Sequence, residues 1–267
     1  MIPATVVYRR AATIEDALDA LAEPDAKALA GGLSLIPVLK LRFARPSVLV
    51  DIGRLAFRGV TVGEETVRIG ALTTWDELLR EPSLARPGLA AIHECAVGIG
   101  DLQVRNRGTV GGSLAHADPA SDFPAVALAL GASIVLQSRN GERTVGAEAL
   151  FLGPFTTSIG TQELMTEIVM PLPAAGSGSA YCCVEHPASG FALAGAAALV
   201  RRDGTRSVAV TGIGSHAFLF AGGDPAALDE AEVFGDDFAP ADYRRHLAGV
   251  VVQRALDVAA ERAAQDA

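Results

Sequence analysis

The amino-terminal part of the chain alternates short apolar runs with stretches of helical periodicity. Three apolar runs predict strands at 6–8, 28–30 and 48–52. Apolar residues at helical spacing after the first run predict a helix, and Thr13 with Asp16 resembles a capping box at its start. A second helix is predicted to continue to about Phe43. The pattern is typical of a small α/β unit, which we expect to end near residue 57.

The middle of the chain mixes short strands with apolar helices. Strands are predicted at 59–62, 66–69, 134–137, 143–145 and 167–171, and helices at 89–97 and 125–130. Thr74 with Glu77 predicts a second capping box. Asn140-Gly141 predicts a hairpin between the third and fourth of these strands.

The last part of the chain begins after a small flexible joint at 176–179. Asp203-Gly204 predicts a hairpin between apolar runs at 191–201 and 205–211. Residues 243–264 have helical periodicity, and we expect this helix to pack on the hairpin sheet. The sequence therefore predicts an α+β chain in three parts, 1–57, 58–175 and 176–267.

Two glycine pairs, Gly31-Gly32 and Gly111-Gly112, are each predicted to lie between a strand and a helix. Paired glycines allow positive φ and let an anionic ligand approach backbone amides closely. A helix start beside such a turn also favours anions. Two such turns suit a ligand with two phosphates, whereas a tight connection without a ligand is the alternative for each pair.

Charge and cysteine content exclude several kinds of protein. The net charge of −9 over 267 residues is spread along the chain, which argues against a nucleic-acid surface. The three cysteines, Cys95, Cys182 and Cys183, form no CxxC pair, so we expect no zinc site, iron–sulfur cluster or disulfide framework. We expect neither a signal peptide nor a membrane-spanning segment, and therefore a cytoplasmic protein.

Several ordered motifs carry a family resemblance. The segments AGGLSLIP at 30–37 and TVGGSLAHADPASD at 109–122 resemble those of the FAD-binding medium subunit of molybdenum hydroxylases. That family includes aerobic carbon monoxide dehydrogenase and the FAD domain of xanthine dehydrogenase. The likeness continues at 151–157, 186–191 and 241–250, so it covers nearly the whole chain.

This resemblance implies a fold, a cofactor and partners. The fold would be two α/β subdomains that hold FAD between them, followed by a carboxy-terminal α+β domain with a small antiparallel sheet and helices. The partners would be a large subunit with the molybdenum cofactor and a small subunit with two iron–sulfur clusters, in a heterotrimer repeated twice. This chain would take electrons from the clusters and pass them to an external acceptor.

The resemblance also implies which residues contact FAD. They are Ala30, Gly31, Gly32, Leu33, Ser34, Thr109, Val110, Gly111, Gly112, Ser113, Asp122, Ile159 and Phe191. Backbone amides of 30–34 and 109–113 would hold the pyrophosphate. Asp122 would contact the cofactor or simply cap the following helix, while Ile159 and Phe191 would either pack on the cofactor or belong to the core. No catalytic side chain and no metal ligand is expected on this chain.

The chain departs from the family pattern at Leu33, Ser113 and Glu185. Glu185 stands where relatives often carry a cation, so it would lower the flavin potential or turn to solvent. These departures leave two alternatives open. One is a self-contained flavin reductase or oxidase of the same fold, and the other is an assembly subunit whose cofactor site has decayed.

Overall fold

The amino-terminal unit is a three-stranded parallel sheet with helical crossovers. The structure is a computed structural model that describes residues 2–220 and 225–266. This unit contains β1 (Val7–Arg10), α1 (Ile14–Leu21), β2 (Ala26–Leu29), α2 (Leu35–Lys40) and β3 (Val48–Asp51). Strand β3 lies between β1 and β2. Parallel neighbours require crossover connections, which the two helices provide.

In this unit the sequence predicted where a helix begins more accurately than where a helix ends. Thr13 and Asp16 form the predicted reciprocal capping box. Helix α2 ends at Lys40, and the prediction that it reaches Phe43 is wrong. Arg42 adopts a left-handed φ of +61°, which stops the helix, and the Phe43 side chain is 81% exposed, so a longer helix would bury nothing there.

The middle unit is an antiparallel sheet covered on one face by helices. Its elements are β4 (Val60–Val62), β5 (Thr66–Gly70), α3 (Trp75–Leu79), α4 (Ala90–Gly98), α5 (Leu102–Arg105), α6 (Val110–His116), α7 (Phe123–Ala129), β6 (Ser133–Ser138), β7 (Gly141–Gly146), α8 (Ala147–Leu150), β8 (Phe151–Gly153), β9 (Thr156–Thr157) and β10 (Leu164–Pro171). The large sheet has the order β4-β5-β10-β6-β7, and the 140–141 hairpin is confirmed. Alternate residues of its central strands join the same apolar core as α7, which is buried along its whole length.

The carboxy-terminal unit is a four-stranded antiparallel sheet with a long helix. It contains β11 (Gly178–Glu185), β12 (Ala192–Val200), β13 (Arg206–Thr211), β14 (Phe218–Phe220) and α9 (Ala241–Gln265), and the strands pair in chain order. The predicted 203–204 hairpin and the packing of the last helix on this sheet are confirmed.

Strand β12 is buried at every position because both faces of its sheet are covered. Ala196 and Ala198 face α9, whereas Ala197 and Leu199 belong to the core that includes α4 and α7. The apolar core of the middle unit therefore continues past residue 176. The three-part division of the chain stays a prediction.

Helix α9 is attached to β11 by close packing and a hydrogen bond, and to α4 by an ion pair. Arg262 donates to the Ser179 carbonyl at 2.7 Å and to Glu94 of α4 at 2.5 Å. Glu94 also accepts from the Tyr181 amide at 2.8 Å. One carboxylate thereby joins α4, β11 and α9. Among the described residues, no helix is both long enough and apolar enough to cross a membrane.

Candidate cofactor site

The first glycine loop, residues 30–34, joins β2 to α2 and presents free backbone donors. Gly32 has a φ of +81°, which favours glycine. The amides of Gly31, Gly32, Leu33 and Ser34 donate no hydrogen bond to any described residue. The Ser34 hydroxyl makes no cap bond, and the Leu33 side chain is 38% exposed. Such a run of unpaired amides is suited to a phosphate or another anion.

Gly31 is required by a backbone contact with a distant segment. A β-carbon at Gly31 would overlap the Arg107 carbonyl oxygen and would lie 3.1 Å from the Gly108 Cα. The first loop thus packs directly against the approach to the second loop. Gly108 in turn lies under the Trp75 indole, which packs edge-on against Phe123 at 5.2 Å. Nothing in the sequence indicated that Trp75 belongs to this site.

The second glycine loop, residues 109–113, differs from its prediction. Gly111 and Gly112 lie in the first turn of α6, and neither has positive φ, so the predicted positive-φ turn is wrong. The amides of Val110 and Gly111 donate to the carbonyls of Thr73 and Ala71, both at 2.9 Å. The Gly112 amide donates to the Thr109 hydroxyl at 3.1 Å.

These three amides already have partners within the protein, so they do not form an anion nest in this structure. Close packing explains both glycines: a β-carbon would lie 2.6 Å from the Ala71 Cβ at Gly111 and 2.6 Å from the Thr109 Oγ1 at Gly112. The sequence signal for this arrangement was the helix-capping threonine two residues before Gly111. Contact of 109–113 with a cofactor stays a prediction.

Asp122 lies next to the second loop and reaches the carboxy-terminal sheet. The Ser113 and Ser121 hydroxyls are 2.8 Å apart. Asp122 occupies the N-cap position of α7 but makes no side-chain cap bond, so the simple cap interpretation is wrong. Its carboxylate instead accepts a hydrogen bond from the Tyr181 hydroxyl of β11. The Thr211 hydroxyl of β13 donates to the Ser121 carbonyl at 2.7 Å and holds this segment against the sheet.

The surroundings of Asp122 disfavour negative charge. Burial raises the pKa of Asp122 to about 6, against the hydrogen bond from Tyr181, and the charges of Glu185 and Asp118 raise it further. Burial and the Asp122 charge also raise the pKa of the Cys95 thiol, and the same two causes raise that of Cys183 to about 12. These two thiols are therefore protonated at neutral pH.

Asp122 should make the stability of the chain depend on pH. Its folded pKa, about 6, lies above the ordinary value of 3.8, so its contribution is fully present below pH 3.8 and is lost as pH rises to about 6. The loss corresponds to about 3 kcal/mol of unfolding free energy. Asp122→Asn should remove this dependence, as measured by urea unfolding across that range.

The exposed Asp237→Asn variant is the matched control for this measurement. For each variant, the unfolding free energy of wild type is subtracted at every pH, and the pH dependence of this difference is compared. The contributions of the other carboxylates are the same in both proteins and therefore cancel. A constant difference between Asp122→Asn and wild type from pH 3.8 to 6 would contradict the raised pKa.

Ile159 and Phe191 are the two apolar side chains outside the glycine loops and their neighbours that were predicted to contact the cofactor. Ile159 is partly buried against the main core. The adjacent Ser158 hydroxyl is buried and has no hydrogen-bond partner among the described residues. Phe191 is 46% exposed, and the amide of the next residue, Ala192, approaches the Ala120 carbonyl at 3.4 Å. Phe191 therefore adjoins the segment that leads to Asp122. Contact of Ile159 and of Phe191 with a cofactor stays a prediction.

Glu185 lies at the exposed end of β11, near the end of α4. Its Oε1 is 3.9 Å from the Cys183 sulfur and 3.7 Å from a β-carbon position at Gly98. The solvent-exposed placement of Glu185 agrees with one of the two sequence expectations. A cavity of about 480 Å³ lies elsewhere, on the outer face of the β4–β7 sheet, and none of the predicted cofactor residues lines it.

Comparison with known proteins identifies the family of this arrangement. Residues 4–173 match the family described as the FAD binding domain in molybdopterin dehydrogenase. The carbon monoxide dehydrogenase medium chain of Hydrogenophaga pseudoflava is 37% identical, over 99% of this chain and 100% of that protein. Subunit alpha of the 6-hydroxypseudooxynicotine dehydrogenase complex of Paenarthrobacter nicotinovorans is 36% identical, over 98% of this chain and 97% of that protein.

A solved structure shares the whole fold. A chain of carbon monoxide dehydrogenase from Hydrogenophaga pseudoflava, in a form lacking the Mo-pyranopterin moiety of the molybdenum cofactor, superposes with a TM-score of 0.92 and 38% identity. The match covers 98% of this chain and 99% of that one. The predicted α+β fold class is thereby confirmed.

Proposed function

Because this chain belongs to the FAD-binding family of the molybdopterin dehydrogenases, as a medium subunit, we propose that it relays electrons inside such a complex. It takes electrons from iron–sulfur clusters on a small partner subunit and passes them to an external acceptor. The organic substrate is oxidised on a large partner subunit that carries the molybdenum cofactor. The three subunits form a heterotrimer that pairs into a dimer.

The first glycine loop is the observation that carries this proposal. Its four unpaired amides, from Gly31 to Ser34, suit the oxygens of a pyrophosphate, and the Ser34 hydroxyl adds a donor. The partnerless Ser158 hydroxyl offers one more polar group beside Ile159. These residues fit FAD. When bound, FAD supplies the ability to accept electrons singly and to release a pair.

The other predicted residues have distinct tasks in this proposal. Ile159 and Phe191 provide apolar surface for the flavin ring and limit its contact with water. Asp122 approaches the cofactor from the start of α7. Thr109 to Ser113, the second loop, form one wall of the site through side chains and α-carbons more than through amides.

The cysteines support the division of electron carriers between chains. Iron–sulfur clusters are usually held by four Cys thiolates, whereas this sequence has three cysteines and no CxxC pair. The clusters are therefore assigned to the partner. The two named relatives act in different dehydrogenases, so the substrate depends on the large subunit. The cytoplasmic location expected from the sequence stays a prediction.

Purification of the chain alone and together with its candidate partners tests this proposal. We expect one FAD per chain by absorption and mass, and substrate-dependent reduction of an electron acceptor only in the complex. Turnover by the isolated chain would instead support a self-contained reductase or oxidase. Absence of flavin from both preparations would support a decayed site and contradict the relay.

A further inference from the structure

We propose that Asp122 and Tyr181 form a proton-holding pair, in which Asp122 takes one proton from solvent when the adjacent cofactor gains negative charge. The proton leaves again when that charge leaves. This inference rests on the proposed function, because only a cofactor at this site brings the charge to Asp122. It assigns a proton-coupling role to Asp122, which the sequence predicted as a cofactor contact, and to Tyr181, for which the sequence predicted no role.

The geometry satisfies Asp122 in both protonation states. The Tyr181 hydroxyl donates to one carboxylate oxygen, Oδ1, and no other described side chain donates to this carboxylate. A phenol can donate or accept, so the pair stays bonded when Asp122 is protonated. Gly195 leaves room for the phenol, because a β-carbon there would overlap the Tyr181 hydroxyl and lie 3.2 Å from its Cζ.

Within the described part of the chain, the ionisable groups that act on the Asp122 pKa include no cation to balance added negative charge. The ionisable groups that face it are Tyr181, Cys183 and Glu185 of β11, Cys95 of α4, and Asp118 before α7. All are acids. Ionised Glu185 and Asp118 already oppose a charge on Asp122, so a further negative charge nearby strengthens its affinity for a proton.

Residues on one face of β11 connect the pair with solvent. Tyr181, Cys183 and Glu185 alternate along the strand and share a face, since strand side chains have a period of two. Tyr181 is buried and Glu185 is exposed. A solvent proton thus has access to this face at Glu185. The step is balanced: one solvent proton converts the Asp122 carboxylate to the carboxylic acid, and no electron moves on the side chain.

The protonation state of Asp122 in the oxidised complex determines the pH at which proton uptake on reduction can be observed. Its pKa of about 6 leaves it mostly ionised at pH 7.5 and mostly protonated at pH 5. Proton uptake on reduction should therefore occur at pH 7.5 and disappear at pH 5.

Infrared difference spectroscopy of the FAD-loaded complex tests the proposal. The complex carries isotope-labelled aspartate and is reduced electrochemically at each pH. At pH 7.5 we expect a new carboxylic-acid band whose intensity corresponds to one proton per flavin. The Asp122→Asn complex should not show this band. Tyr181→Phe removes a hydrogen bond to the ionised carboxylate, so the pH midpoint of the oxidised complex should rise by about one unit.

The control is Tyr243→Phe, which removes an exposed hydroxyl from α9 and should leave band and midpoint unchanged. If the wild-type complex binds FAD and turns over but forms no Asp122 acid band on reduction, the pair holds no proton and the proposed function stands. Complexes without FAD would instead contradict the proposed function. If the Asp122→Asn complex does not retain the flavin, the Tyr181→Phe complex still provides a test. An unchanged pH midpoint of Asp122 protonation in the Tyr181→Phe complex would overturn the inference.

Discussion

The Gly31→Ala chain is expected to bind FAD about a hundredfold more weakly than wild type. The added β-carbon would overlap the Arg107 carbonyl oxygen and lie 2.8 Å from the carbonyl carbon, which are both backbone atoms. The first glycine loop must therefore move away from 107–108. A shift of that kind turns the amides of Gly31 to Ser34 away from one common target. Loss of two charge-assisted hydrogen bonds, at about 1.5 kcal/mol or more each, weakens binding about a hundredfold.

Gly146→Ala is the matched control, because nothing lies within 4 Å of a β-carbon at Gly146 and its φ is −64°. We expect this variant to bind FAD as wild type does. Binding is measured by flavin fluorescence titration of deflavinated protein, and circular dichroism confirms that both variants fold. Wild-type FAD affinity in folded Gly31→Ala would show that the first loop does not hold the phosphates.

The Gly178→Ala chain is expected to be the least stable of the variants considered. A β-carbon there would overlap the Ala259 carbonyl oxygen and lie 2.5 Å from the Ala263 nitrogen, so the backbone of α9 would have to separate from β11. Separation would also stretch the bonds from Arg262 to Ser179 and Glu94. Overpacking of this kind costs about 3 kcal/mol of unfolding free energy. Urea unfolding should show the loss as a lower midpoint.

Gly249→Ala provides the opposite test on the same helix. Nothing lies within 4 Å of a β-carbon at Gly249, and it lies within α9. Alanine in a helix interior is favoured over glycine by about 0.8 kcal/mol, so this variant should unfold at slightly higher urea. Equal midpoints for Gly178→Ala and wild type would mean that α9 does not rest directly on β11.

Predictions from local pattern succeeded where the deciding contacts are local. The capping boxes at Thr13 and Thr74, the hairpins at 140–141 and 203–204, and the final helix are all present. Capping is decided within about one helical turn and a tight hairpin within a few residues. The α2 end near Phe43 was predicted wrongly, because it depends on what the helix can bury.

The candidate site was only partly predictable for the same reason. Asp122 was identified by position, but its partner Tyr181 is 59 residues away on another sheet. In the sequence, the Gly111-Gly112 pair is indistinguishable from the Gly31-Gly32 pair. In the structure, Gly111 and Gly112 lie in a helix, where their missing side chains leave room for Ala71 and Thr109. The two glycine pairs differ in conformation because different distant residues pack against them, and a glycine pair in the sequence does not show which residues those are.

The sequence alone determined the family, the α+β class and most helix and strand positions, because these depend on periodicity, capping residues and ordered motifs. Tertiary structure alone decided which amides remain unpaired, why Gly31 must be glycine, and that Asp122 meets Tyr181. Each of those facts depends on atoms from segments far apart in the chain that meet when buried surfaces pack together. Tertiary packing therefore determines which amides and side chains of these motifs are available to bind a cofactor.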